Sequence, residues 1–289
     1  TAPGLASELR ESALASPQLF SAGAAKFAGL RPVFIRHLFD GLRHPTANAM
    51  KIEWAPCLGL LEAVLKRTEP GQDDISPVPG EDADWSWALQ SGIEWLAAAL
   101  RRGADGIPFA YANRIQALVP ALYRRMMQLA GLRNAEHPNR DHPYFAALQT
   151  PRGAAVDLCV LLVFWQSKSP DTPAGRAPRE ALAHAPEIRL ILEAELEDRT
   201  PSAWIPRAVL GRYLTWLSHF GVDWLRQHFA ALFPADDSDL AAAAWLGHLR
   251  HDQGPAAELM ELLYPHYALH IASLGQNDAT PGLERQTIA

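Results

Sequence analysis

The sequence predicts an all-α fold, and two observations carry this prediction. Apolar residues recur every three or four positions through most of the chain, which is typical of helices that bury one face. Sustained alternation of apolar and polar residues, which a half-buried strand requires, is not apparent. Because most of the predicted helices are joined by short connections, we expect antiparallel helix pairs stacked into an α-solenoid of degenerate TPR- or HEAT-like repeats.

Twelve helices are predicted in order along the chain. Proline opens five of the patterns, at a position where a helix does not use the missing amide donor: Pro17, Pro32, Pro151, Pro201 and Pro255. Pro120 and Pro265 fall in the middle of their patterns, so we expect a kink or a break at each. The predicted helices span residues 4–15, 17–28, 32–43, 52–67, 84–102, 109–130, 151–167, 178–198, 202–218, 222–232, 237–250 and 255–273.

The segment 150–169 (TPRGAAVDLCVLLVFWQSKS) is predicted to be a central core helix. Its apolar run is shorter than the roughly 20 residues that a membrane span needs, and Asp157 interrupts it. Its single glycine is not followed by the Lys-Ser/Thr pair of a phosphate-binding loop. Thr150 suits the cap and Pro151 the first turn, and a helix that is apolar on nearly every side is buried on nearly every side.

Composition excludes some classes of function and favours others. Of the 289 residues, 48% are hydrophobic and 20% are charged, as in folded domains, and the net charge of −6 gives no electrostatic basis for binding nucleic acid. The two cysteines, Cys57 and Cys159, lie in apolar patterns, which indicates buried thiols, a reducing compartment and a cytoplasmic location without membrane attachment. The chain opens with Thr1 and charged residues rather than a signal peptide, so we expect a fragment or a processed chain.

The domain prediction is one helical repeat domain over 1–274, followed by a flexible tail over 275–289. Three longer polar links interrupt the helical patterns, at 68–83, 131–149 and 167–177, and a subdivision of the domain is expected near the second. The links at 68–83 and 131–149 are predicted recognition loops, because loops on a rigid scaffold often carry specificity.

No pattern in the sequence predicts catalysis or a cofactor. HExxH, GxSxG, Walker A, GxGxxG and CxxC sequences are absent. His248, His251 and Asp252 have spacings that metal ligands can use, but a helix end with cationic histidine is the stronger interpretation. His266 and His270, four residues apart, are predicted to be core or interface residues, as are most of the nine tryptophans. We therefore predict no enzyme activity, no cofactor and no metal.

Basic side chains are the candidate contacts to an acidic protein partner. They form two short pairs near predicted helix ends and a third group in the link 131–149. The candidates are Arg101, Arg102, Arg124, Arg125, Arg133, His137 and Arg140.

Several stretches together resemble a known family. They are SPQLFSAGAAKFAGLRPVFIRHLFDGLRH, IEWAPCLGLLEAVLKR, TPRGAAVDLCVLLVFW, AVLGRYLTWLSHFGVDWLRQHFAALFP, AAAAWLGHLR and LYPHYALHI, in this order over most of 15–272. The order resembles the C-terminal helical sensor region of bacterial antiviral STAND NTPases and related sirtuin- or nuclease-linked defence proteins. The matching positions are Gly211, Tyr213, Asp223, Trp224, Phe233, Pro234 and Trp245, with Thr150, Arg152 and Gly153 at the start of an earlier helix.

The resemblance implies a sensor rather than an enzyme. In that family an NTPase module and a toxic effector lie upstream, and the helical region recognises a phage protein, which leads to oligomerisation and effector activation. The expectation for this chain is therefore a protein partner, with any oligomer formed through other domains. Two other interpretations stay open: a helical scaffold with a host partner, and an all-helical hydrolase that would use Glu94, Asp157 and Glu193.

Overall fold

The computed structural model describes residues 2–67, 85–130, 142–170, 181–250 and 257–274. All the regular structure in these ranges is helical and they contain no strand, so the all-α prediction is confirmed. The α-helices are α1 Ala2–Ala15, α2 Pro17–Ala22, α3 Pro32–Ala47, α4 Trp54–Arg67, α5 Trp85–Arg101, α6 Ala112–Ala130, α7 Pro143–Leu148, α8 Pro151–Ser167, α9 Pro186–Glu197, α10 Trp204–Arg212, α11 Leu214–Leu232, α12 Ser238–Leu249 and α13 Ala257–Leu274. Short 3₁₀ helices occupy Ala24–Gly29, Gly103–Asp105 and Phe109–Tyr111.

The chain divides into two compact units. Unit 1 comprises Thr1–Arg133 and Phe164–Pro170, and unit 2 comprises Asn134–Val163 and Asp171–Ala289. The predicted tail over 275–289 and the predicted loop over 68–83 lie outside the described residues.

In unit 1, α3 lies between α1 and α5. Its Gly41 permits close approach to α1, since a Cβ there would lie 2.6 Å from the carbonyl oxygen of Arg10. On the other side, Trp95 of α5 packs against Phe39 with ring centroids 5.5 Å apart. The Trp95 indole donates a 3.0 Å hydrogen bond to Thr46 Oγ1, so the buried polar end of this core residue has a partner.

In unit 2, α10 and α12 cross with their backbones in close contact. Gly211 and Gly247 make the crossing possible, because a Cβ at these positions would lie 2.0 Å from the Ala244 carbonyl oxygen and 2.3 Å from that of Ala208. Helix α7 packs against both helices. The start of α7 and the ends of α10 and α12 are therefore neighbours within this unit.

The segment that was predicted to form a core helix does so as α8. Every residue from 152 to 163 is buried, because the sequence is apolar on all sides of this helix. Thr150 caps it as predicted: its Oγ1 accepts a 3.0 Å hydrogen bond from the amide of Gly153.

Several predicted boundaries are wrong. Residues 143–148 of the predicted loop 131–149 form the helix α7. The predicted interruption between 218 and 222 is present, because Gly221 has a non-helical backbone and two helical segments of α11 meet there at a kink. The predicted single helix over 202–218 is instead divided at Tyr213, between α10 and α11. Helices α6 and α13 continue through Pro120 and Pro265, so neither proline breaks its helix. An interior proline costs about 3 kcal/mol, which the burial of two apolar side chains on the same helix offsets.

Among the described residues, no helix combines the length and the apolar character needed to cross a bilayer.

Candidate binding surfaces and buried polar networks

Three of the predicted basic residues, Arg101, Arg124 and Arg125, lie on helices α5 and α6 of unit 1. Arg101, the last residue of α5, and Arg124, in α6, are exposed. Arg102 holds local structure instead, since its guanidinium donates to the carbonyl oxygens of Ala47 at 2.8 Å and Asp105 at 3.2 Å. Arg125 is half-buried and donates to the Gln128 side chain at 2.8 Å. Arg133, His137 and Arg140 lie outside the described residues.

An open groove in unit 1 is lined mainly by apolar side chains. It encloses about 640 Å³ and lies between the start of α2 and the segment after α3. Leu19 and Met50 line it and expose 70% and 44% of their surface, while Gln18 and Lys51 bring polar groups. Exposed apolar side chains at a concave surface are typical of a binding site.

The second half of α13, in unit 2, presents uncharged side chains to solvent. Tyr264, Leu269 and Ile271 are 68%, 69% and 58% exposed, and Pro265 and Ala268 between them are also exposed. This outer face is a second place where a partner could bury apolar surface.

The inner face of α13 carries an aromatic and histidine cluster. His270 stacks on Trp245 of α12 with centroids 4.8 Å apart and planes 7° from parallel, and His266 lies 4.7 Å from the Phe233 ring. Burial lowers the pKa of His266, and burial together with the neighbouring His266 lowers the pKa of His270. These histidines therefore serve α13 packing in their neutral form.

The histidine that was considered as a metal ligand is part of this cluster. His248 is buried, and its Nε2 lies 3.0 Å from the Tyr267 hydroxyl. His251 and Asp252 lie outside the described residues. Within the residues that the structure describes, no group of three or more His, Cys, Asp or Glu side chains is placed to hold a metal ion.

A buried ion-pair network fixes the start of α8 to the end of α9. Arg152 bonds Glu195 in a salt bridge, lies 2.7 Å from Asp198 Oδ2 and donates to Ser202 Oγ at 2.9 Å. Burial alone would lower the pKa of Arg152, but hydrogen bonds to Glu195 and Asp198 outweigh it and raise that pKa. Burial acts to raise the pKa of Asp198, yet bonds from Thr200 and Arg152 hold it below its usual value. The network is a structural clamp, since each charge has an opposite partner.

A second buried arginine binds backbone carbonyl groups. Arg207 is completely buried, and its guanidinium donates to the carbonyl oxygens of Leu196, Ala203, Ala231 and Asp198 at 2.7, 2.8, 3.2 and 3.3 Å. These oxygens belong to the end of α9, the start of α10 and the end of α11. One side chain thus satisfies acceptors from three helix ends.

Asp157, in the middle of α8, accepts hydrogen bonds from two tyrosines. The hydroxyls of Tyr213 and Tyr144 lie 2.7 and 3.2 Å from its Oδ1. All three side chains are buried. The guanidinium of Arg212 covers both tyrosine rings, with Cζ 4.6 Å from the Tyr144 centroid and 5.6 Å from that of Tyr213.

The three carboxylates considered for a hydrolase each have hydrogen-bonding partners. Glu94 forms a salt bridge with Arg43 and accepts a bond from Gln90, and burial raises its pKa. Glu193 accepts bonds from Arg189 at 2.8 Å and from the Trp224 indole at 3.1 Å, and bonding to Arg189 lowers its pKa. Asp157 is held by the two tyrosines. A solvated face or a helix cap is the other role predicted for these carboxylates. Asp157 has neither role, because it is buried in the middle of α8, and Glu94 and Glu193 are paired with arginines.

The cysteines are buried thiols, as predicted. Burial raises the pKa of Cys57 to about 12 and also raises the pKa of Cys159. Neither is a thiolate at neutral pH, so neither is activated as a nucleophile.

No family model, no curated protein and no solved structure matches this chain.

Sequence reasoning missed the most elaborate polar sites. Arg207 lies in the apolar run WIPRAVLG, and a charged residue inside such a run could have indicated a buried cation. The convergence of Tyr144, Asp157 and Tyr213 had no sequence signal, because the three residues come from α7, α8 and the junction between α10 and α11.

Proposed function

We propose that this chain is the protein-binding sensor region of a bacterial anti-phage defence protein. In this proposal its helices form a degenerate α-solenoid, and binding of a phage protein in the cytoplasm triggers an NTPase and effector module located elsewhere. The chain itself acts by binding and not by catalysis. The antiviral role rests on the resemblance of the helical segments to the sensor region of STAND NTPases.

The observation that best supports a binding role is the apolar groove at α2. Leu19 and Met50 expose a large part of their surface there. Burial of a side chain of this kind stabilises a protein by about 2 kcal/mol, so their exposure leaves that free energy available for binding. Such side chains act as anchors when a partner covers them. A stable interface buries about 800 Å² on each partner, so the groove would form the centre of a larger contact.

Charge substitutions in the groove test the proposal. Bacteria that express the complete gene encoding this chain are challenged with a panel of phages, and we expect plaque formation by at least one phage to be restricted. Leu19→Glu or Met50→Glu places a charge in the apolar centre of the contact with the partner. Loss of about 2 kcal/mol of binding free energy at such a hot spot weakens binding by roughly 30-fold. Restriction should then disappear while the level and denaturation midpoint of the protein stay unchanged.

The matched control is Leu190→Glu. Leu190 is 66% exposed on α9, close to the 70% of Leu19, so Leu190→Glu adds the same charge and removes a similar exposed apolar area without touching the groove. Restriction that survives the groove substitutions would show that the groove is not the recognition surface. A chain that restricts no phage and binds the same host protein with and without infection would be a scaffold rather than a sensor.

A further inference from the structure

Two arginines of unit 2 have buried nitrogen atoms without acceptors. The Nε atoms of Arg212 and Arg250 are inaccessible to solvent and make no hydrogen bond. Among the described residues, no carboxylate forms a salt bridge with either guanidinium, although the chain has 32 acidic residues against 26 basic ones. Buried polar groups are nearly always satisfied, so an unsatisfied pair in one region requires an explanation.

The fold brings these two arginines to the same place. Arg212 is the last residue of α10, and its backbone nitrogen would lie 3.1 Å from a Cβ built at Gly247 of α12. Arg250 follows Gly247 by three positions, about 5–6 Å along the same side of the helix. Both guanidiniums face α7 and the residue before it: Arg212 covers the Tyr144 ring, and Arg250 contacts the His142 ring through Nη1.

The aromatic rings beside Arg212 and Arg250 position the two guanidiniums without neutralising their charge. Tyr144 and Tyr213 present ring faces to Arg212 and direct their hydroxyl protons to Asp157, so that carboxylate is already occupied by two donors. His142 is exposed and both arginines are half-buried, so each residue keeps some surface that a solute can reach, although the two Nε atoms do not. A guanidinium whose ring contacts leave its N–H groups available is suited to an oxyanion.

We infer that Arg212, Arg250 and His142 form a binding site for an oxyanion, the carboxylate or phosphate group of a ligand. Such a group accepts charge-assisted hydrogen bonds from the Nη–H groups of both guanidiniums, whose charge no carboxylate among the described residues neutralises. The site lies in unit 2 and does not depend on the groove of unit 1 or on the proposed antiviral role.

The direct test observes the two Nε–H groups by NMR. The chain is titrated with inorganic phosphate and, separately, with acetate, each at constant ionic strength maintained with sodium chloride. We expect the Nε–H signals of Arg212 and Arg250 to shift together and to saturate, while that of Arg226, exposed and paired with Asp223, stays in place. Saturation by phosphate alone identifies a phosphate ligand, and saturation by acetate identifies a carboxylate ligand.

Substitutions provide the second arm. The affinity for the anion that saturates the signals, measured by calorimetry, should fall about tenfold or more in Arg212→Lys and in Arg250→Lys. Lysine keeps the charge but lacks the planar set of N–H donors of a guanidinium. The affinity should stay unchanged in Arg226→Lys. The anion-dependent rise in melting temperature, compared with each variant's own anion-free value, separates binding from any loss of stability. Arginine signals that respond to neither anion, or equal affinities in all variants, would overturn the inference.

Discussion

At the scale of single residues, the polar chemistry of unit 2 depends on arginines in three different surroundings. Arg152 is neutralised by carboxylates, Arg207 is surrounded by backbone carbonyl oxygens, and Arg212 rests on tyrosine rings. A guanidinium has five N–H donors in a plane, and the number of these donors that form hydrogen bonds differs among the three arginines. The energetic consequences therefore differ: removal of Arg207 leaves several buried acceptors, whereas removal of Arg212 leaves two apolar ring faces.

Arg207→Met should strongly destabilise the chain. Methionine fills much of the volume but leaves the carbonyl groups of Leu196, Ala203 and Ala231 without their donor. One buried unsatisfied acceptor costs about 1–3 kcal/mol, so we expect the free energy of unfolding to fall by about 3 kcal/mol or more. Urea denaturation followed by circular dichroism measures this change.

Arg226→Met is the control for that experiment. Its guanidinium is exposed and pairs with Asp223 of the same helix at 3.4 Å, so its loss should change the free energy of unfolding by less than about 0.5 kcal/mol. Equal, small effects of the two substitutions would show that Arg207 does not hold the helix ends together.

At the scale of elements, two kinds of helix contact occur in unit 2. Helices α10 and α12 cross backbone to backbone through Gly211 and Gly247, a contact that tolerates no added side chain. Helix α13 instead docks through the rings of His266, Tyr267 and His270 against α11 and α12. The first contact is insensitive to pH, while the second includes groups that titrate near neutrality.

Docking of α13 should weaken in mild acid. Burial lowers the pKa of His266 and His270 in the folded chain, so the unfolded chain takes up protons first as pH falls below about 6.5. The stability that the neutral rings contribute is thus complete above that pH and is lost as pH falls through the folded pKa values. Two charges four residues apart also repel each other on the helix.

Hydrogen exchange of the α13 amides measures this effect. After correction for intrinsic rates, protection should drop between pH 7.5 and 5.5, and His266→Phe with His270→Phe should remove most of the drop. His219→Phe, at an exposed position of α11, should leave it unchanged. Protection of α13 that is equal at both pH values would contradict the prediction.

At the scale of the whole molecule, the sequence predicted the helices better than their contacts. Helix α8 was predictable because it is apolar on all sides, and Thr150 and Pro151 mark its start. Helix α7 was missed because its six residues are too few to show helical periodicity. The pairing of Arg212 with Arg250 depends on the α10–α12 crossing, and residues 38 positions apart carry no local signal of proximity.

The charge of the whole chain leads to the last prediction, that it does not bind nucleic acid. The net charge is −6, and the basic residues of unit 1 that the sequence singled out are partly engaged: Arg102 donates to two carbonyl oxygens and Arg125 to Gln128. Binding to a duplex requires several phosphates to be neutralised together, and non-specific affinities of proteins that achieve this are about 10⁻⁴–10⁻⁶ M at physiological salt. Fluorescence anisotropy of a labelled 20-base-pair DNA should therefore stay flat up to about 10⁻⁴ M chain. Binding that is tighter than this and weakens steeply with salt, and that Arg101→Glu or Arg124→Glu abolishes, would show that a local basic surface overrides the net charge.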